Sequence, residues 1–129
     1  MIRRSTLSAF GALAVLAFAT GDLSAQTVHV VKMVDKSTTE FAFEPAVITV
    51  EPGDIIRWEQ TVVTPHNVEF REGPFAGTMS DFLMTPGQTF EITIAAGTAP
   101  GTFKYLCTPH ELMGMVGTIN DVADGGSKK

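Results

Sequence analysis

The sequence predicts an all-β domain, a sandwich or small barrel of seven or eight short strands with at most one short helix. Two observations carry that prediction. Runs rich in β-branched and aromatic residues recur at short intervals, each bounded by Gly/Pro turn chemistry. Beyond the first 25 residues, no stretch sustains a helical period for more than about two turns; residues 79–84 are the one segment that fits a short helix. With 129 residues the chain has room for one packed core, and its 44% hydrophobic and 18% charged fractions are those of an ordinary globular domain rather than a disordered one.

The elements follow in order. Arg3 and Arg4 form a basic start, residues 9–19 are apolar, and Ser24 and Ala25 offer small residues for cleavage. This reads as a cleaved export signal over residues 1–25, since spanning a bilayer takes about 20 apolar residues. The paired arginines are compatible with either general or twin-arginine export. Residues 27–34 are valine-rich and read as the first strand, and residues 46–50 as the second. Glu51-Pro52-Gly53-Asp54 is a turn, after which residues 55–60 resume. Residues 67–70 form a short strand before a loop holding Gly73, Pro74 and Gly77. After Pro86-Gly87, residues 88–94 alternate Phe90, Ile92 and Ile94 with Glu91 and Thr93, the pattern of a half-buried strand. Pro100-Gly101 turns the chain into residues 102–107, and residues 115–120 make the last strand. The globular domain is expected over 26–122, with 123–129 a flexible tail. Trp58, Phe43, Phe90, Phe103 and Tyr105 are expected to fill the interior.

Charge and cysteine content narrow the function. The net charge is −5, and removal of residues 1–25, with two arginines and Asp22, makes it −6. An acidic domain argues against nucleic acid or an anionic membrane surface as partner and is compatible with a basic protein. Cys107 is the only cysteine, so it cannot form an internal disulfide in an oxidising compartment. Its neighbours point to metal. In Cys107-Thr-Pro-His110-Glu-Leu-Met113-Gly-Met115, a thiol, an imidazole and two thioethers fall where one strand ends and the next begins. Thiolate and thioether are soft ligands, imidazole suits copper and zinc, and a His₂Cys set with a weak axial Met is the donor set of an electron-transfer copper centre. A second imidazole is needed. His66, in Pro65-His66-Asn67-Val68, stands at the mouth of a strand and is the better candidate, whereas His29 lies inside the first strand with no donor near it.

These stretches resemble the cupredoxin family, in its plastocyanin and pseudoazurin branch. The resemblance runs through Phe43-Glu44-Pro45, Ile48 to Asp54, Trp58 to Val68, Met84 to Phe90, and Gly101 to Gly117, most of residues 41–119. It implies a Greek-key sandwich in which His66, Cys107 and His110 hold one copper ion strongly and Met115 weakly from the axial side. Met113 is the alternative axial ligand, because the amicyanins place theirs three residues after the histidine. The resemblance also implies that Asn67 supports the ligand loop by hydrogen bonds. Electrons would pass through the edge of His110 within an apolar patch, to which Pro65, Pro109, Leu112 and Met113 could contribute. Glu111 beside that histidine departs from the family's usual uncharged residue and would bias docking toward a basic partner.

The implied function is a small exported one-electron carrier, cycling Cu(II)/Cu(I), and not an enzyme. It would be monomeric, without stable membrane insertion, and most simply placed in the bacterial periplasm. Partners would be redox proteins such as a c-type cytochrome or a copper or haem reductase or oxidase. The nearest rival is a copper carrier on the same fold. A structural zinc site would want a fourth strong ligand. A thiol enzyme would want an orienting group and an oxyanion site beside Cys107 and His110, and a multicopper enzyme would want more histidines than the three present.

Overall fold

The computed structural model describes residues 26–122; the expected export signal at 1–25 and the expected tail at 123–129 lie outside the described residues. Seven strands form two sheets. Strands β1 (Val28–Asp35), β2 (Phe41–Glu44), β4 (Ile55–Gln60) and β5 (Thr89–Thr93) make one sheet in the order β2-β1-β4-β5. Strands β3 (Val47–Val50), β7 (Val116–Asp121) and β6 (Gly101–Leu106) make the other, in the order β3-β7-β6. β1 and β4 run parallel, as do β3 and β7; the remaining pairs are antiparallel.

Alternation along the strands builds the core. Val31 and Met33 of β1, Ile56 and Trp58 of β4, Ile48 and Val50 of β3, and Tyr105 and Ile119 of β6 and β7 are all buried in one cluster. Residues two apart on a strand share a face, so each strand gives one row inward and one row to solvent. Trp58 sits edge-on to Tyr105 with ring centroids 5.1 Å apart, and Phe43 meets Tyr105 at 4.8 Å, the perpendicular arrangement that aromatic quadrupoles favour. Of the five aromatic residues expected inside, Trp58, Phe43 and Tyr105 are buried, while Phe90 and Phe103 are partly buried against the cluster. Gly117 has no room for a side chain: a Cβ there would lie 2.1 Å from the Tyr105 ring. The close passage of β7 over that ring therefore demands glycine.

The pattern departs from expectation in three places. Residues 41–44, not anticipated as a strand, pair with β1 as β2. Residues 67–70 do not form a named strand; Glu69 makes only isolated bridges, to Met79 and to Leu106. Residues 79–84 are extended rather than helical, tied through those bridges and through His66 to Leu83. The backbone explains the difference. Leu83 N–H donates to the His66 carbonyl at 2.8 Å and His66 N–H to the Leu83 carbonyl at 3.1 Å, so cross-chain bonds satisfy the groups that a helix would have used internally. The helical segments among the described residues are two short 3-10 turns, Gly73–Phe75 and Thr108–Met113. No helix among the described residues is long and apolar enough to cross a membrane.

Candidate metal centre

Two loops at one end of the sandwich converge on a cluster of donor atoms. The first loop follows β4 and carries His66. Its course is fixed by Gln60, a buried carboxamide whose nitrogen donates to the Thr64 carbonyl at 2.7 Å and the Leu83 carbonyl at 2.9 Å. The second joins β6 to β7 and begins with Cys107. The 3-10 turn Thr108–Met113 carries His110, and Gly114, at φ 83° in the left-handed region, ends the turn. Backbone bonds close the loop on itself: Cys107 N–H donates to Met115 O, Met115 N–H to His110 O, and His110 N–H to Cys107 O, each at 3.1 Å. The residues from Cys107 to Met115 are therefore one tight unit held between two strands.

The side chains meet there. The Cys107 sulfur lies 3.4 Å from His110 Nδ1 and 3.7 Å from His66 Nδ1, and the two Nδ1 atoms are 3.1 Å apart. Donor atoms that share one ion at bonds of about 2.0–2.3 Å stand roughly 3–4 Å from each other, so this spacing fits a single metal ion. His66, Cys107 and His110 form the one such cluster among the described residues. Met115 is fully buried at the base of the loop, whereas Met113 is half exposed at the end of the turn. His29 lies apart, with Nε2 2.8 Å from Asp54 Oδ2.

The surroundings explain the tautomers and charges. His66 Nε2 lies 2.8 Å from Asp35 Oδ1. A carboxylate only accepts, so Nε2 carries the ring proton and the Nδ1 lone pair faces the thiol and His110. Burial raises the Cys107 thiol above its ordinary pKa, against the opposing pull of the Asn67 and His110 backbone N–H groups. A metal ion is what would favour thiolate in such a pocket. Burial, and then His66, hold His110 below its ordinary value, with Asp35 opposing. His110 is thus suited to bind as a neutral ligand. Soft thiolate, two imidazoles and a buried thioether together suit copper better than a hard cation.

Hydrogen bonds tie the two loops together. Asn67 Oδ1 accepts from Thr108 N–H at 2.7 Å, and Asn67 Nδ2 donates to the Thr108 hydroxyl at 2.8 Å. That hydroxyl donates to Glu69 at 2.8 Å, and Arg71 bridges Glu69 to Glu111, reaching Glu111 at 2.7 Å. Arg71 first, and then Thr108, hold the Glu69 carboxyl below its usual range. Glu111 is therefore not a bare charge beside His110, as the sequence suggested; a guanidinium lies against it.

Sequence reasoning missed five residues here. Asp35 and Arg71 act across long sequence separations, with no motif to announce them. Phe41 stacks on the His110 ring, centroids 4.0 Å apart and planes 26° apart. Phe82 and Met84, exposed hydrophobics, line one apolar groove with Pro65, Pro109 and His110. The helical reading of 79–84 concealed the groove residues, since only the extended course brings that segment beside His66. Leu112 is fully exposed at the tip of the turn.

Comparison with known proteins agrees with this geometry. The family of copper binding proteins described as plastocyanin/azurin matches residues 28–121. Plastocyanin from Nostoc punctiforme is 37% identical over 130 residues, covering 92% of this chain and 92% of its own. Chloroplastic plastocyanin from Pisum sativum is 32% identical, covering 90% and 73%. Among solved structures, a fern plastocyanin variant superposes with a TM-score of 0.60 at 28% identity, covering 72% of this chain and 99% of its own. A reduced amicyanin variant gives 0.57 at 27%, covering 76% and 85%. With the fold, the donor cluster and these relatives in agreement, the chain belongs to the plastocyanin/azurin family of copper-binding proteins, the blue-copper cupredoxins, and copper is its cofactor.

Proposed function

We propose that this cupredoxin is an exported one-electron carrier and not an enzyme, with His66, Cys107 and His110 as the strong copper ligands and Met115 as the weak axial one. The observation that carries the reading is the meeting of two Nδ1 atoms and one thiol sulfur within 4.8 Å, on loops closed by backbone hydrogen bonds. Bound copper would supply the one-electron Cu(II)/Cu(I) couple. The protein's part is to hold the donors so that little has to move. The Cys107–Met115 loop is pinned at both ends, Asn67 grips Thr108, and His66 is fixed from behind by Asp35.

Burial favours Met115 over Met113 as the axial group, because Met113 is half in solvent. His110 is the partly exposed member of the cluster and borders the groove of Pro65, Phe82, Met84 and Pro109. With Leu112 and Met113 beside it, that apolar face is where a redox partner would approach. A c-type cytochrome or a copper or haem redox enzyme fits this chemistry, in a small and short-lived contact. Residues 1–25 would direct the chain out of the cytoplasm, most simply to a bacterial periplasm. Residues 26–122 would then act there as a monomeric domain with 123–129 as its tail.

Titrating the purified domain with Cu(II) while recording visible absorption tests the reading. An intense orange-red band that saturates at one copper per chain and is absent in Cys107→Ser is the expected result. Copper bound without that band, or Cu(I) lost rapidly to a chelator, would replace electron transfer with copper carriage.

A further inference from the structure

One cross-strand pair braces both imidazoles from the same side. Asp35 is the last residue of β1, Phe41 the first of β2, and the antiparallel register sets them opposite each other. Opposed residues project from the same face of a sheet. From that position Asp35 reaches Nε2 of His66 at 2.8 Å, while the Phe41 ring lies flat on His110 and edge-on to His66, centroids 4.0 and 5.7 Å apart. The Thr64 hydroxyl donates to the other oxygen of Asp35. The carboxylate therefore has a donor on each oxygen and is not free to swing away.

From this geometry we infer that Asp35 is a positioning residue of the copper centre, which sets how strongly the site favours the more highly charged oxidation state. The inference rests on the electron-carrier reading above. A neutral acceptor behind His66 would fix the tautomer equally well. A carboxylate adds a full negative charge on the far side of one imidazole, and that charge interacts more favourably with Cu(II) than with Cu(I). Screening is limited on the ligand side, because His66 is 0% exposed, although the Asp35 side chain keeps 24% of its surface in water. The carboxylate thus lowers the reduction potential, and the β1–β2 hairpin, not the ligand loop, is the element that tunes it.

Asp35→Asn separates the charge from the hydrogen bond, since the amide oxygen still accepts from Nε2. Midpoint potentials would be measured by spectroelectrochemical titration of the copper-loaded wild type and variant, with the urea midpoint of the metal-free proteins recorded alongside. A merely structural role would move the urea midpoint and leave the potential alone. The expected result is an approximately tenfold fall in the ratio of Cu(II) to Cu(I) affinity, read as a potential raised by about 59 mV. A ratio unchanged within twofold overturns the inference. Should Asp35→Asn fail to fold, Asp35→Ser, which also removes the charge, takes its place in the same titration. There too a raised potential supports the inference, and an unchanged one overturns it. Absence of the thiolate absorption band in the wild type would sink the electron-carrier reading and this inference together. A normal band with an unmoved potential sinks the inference alone.

Discussion

The two ends of β1 carry the same contact in different settings. Near its start, His29 Nε2 lies 2.8 Å from Asp54 Oδ2; at its finish, Asp35 Oδ1 lies 2.8 Å from His66 Nε2. The ends are about 20 Å apart along the strand. At the His29 end the histidine is 19% exposed and its partner Asp54 is the buried hub, accepting also from the backbone N–H groups of Thr27 and Glu51. At the His66 end the histidine is the buried one, and its free nitrogen faces a thiol and a second imidazole. A histidine–carboxylate pair is thus no sign of a site by itself. What the second ring nitrogen meets decides whether the pair ties a turn or aims a ligand.

The largest effect expected from breaking this comparison is on copper. His66→Ala should lower Cu(II) affinity by at least about 100-fold by competition titration, a loss of the size seen when a metal site's supports or ligands are removed. His29→Ala should leave affinity within about twofold. Equal losses from both would show that the two pairs do the same job.

Stability should respond the other way. Asp54→Ala takes the acceptor from two backbone N–H groups and from His29, and should cost the metal-free protein about 2–3 kcal/mol in urea unfolding, with the absorption band of the copper form intact. The cost should depend on pH. Burial works to raise the Asp54 pKa, but His29 and the two backbone donors outweigh it and hold the carboxyl below its ordinary 3.8. Its contribution is therefore present above that value and is lost as pH falls through the lower folded-state pKa.

Asp121 sharpens the comparison, because it is buried at the His29 end with neither carboxyl oxygen hydrogen-bonded. Burial, and then the charge of Asp54, push its pKa up. A raised carboxyl binds its proton more tightly in the folded state, so stability is greatest at low pH and declines as pH rises through the folded-state pKa. Asp121→Asn should accordingly stabilise the domain by about 1 kcal/mol at pH 7 and by less at pH 3, as followed by urea unfolding at the two pH values. A larger gain at pH 3 would contradict the assignment.

The smallest effect is expected at the surface network. Glu111→Gln should shift the melting temperature by no more than a few degrees, because exposed ion pairs contribute little. It should also change the ionic-strength dependence of electron transfer to a cationic partner less than a solitary carboxylate would, since Arg71 already lies 2.7 Å away. Arg71→Gln, which bares Glu111 and Glu69 together, should steepen that dependence.

Much of the molecule was legible in the sequence because the signals were local. The Cys107-x₂-His110-x₄-Met115 spacing lies on one loop, and turn dipeptides marked most strand ends. His29 fell correctly outside the cluster, since it sits within a strand, away from the loops. Residues 41–44 and 79–84 were misread because each is extended only through a partner chain segment: β2 leans on β1, and the second stretch is held by bridges to His66 and Glu69.

By itself, then, the sequence determined the fold class, the candidate donors and the loop that carries three of them, since these depend on residues a few positions apart. Only the tertiary structure decided that Asp35 stands behind His66, that Phe41 covers His110, and that Arg71 lies against Glu111. Those contacts join residues 31, 69 and 40 positions apart. Strand register and loop closure set them, and neither leaves a periodic or local trace in the chain.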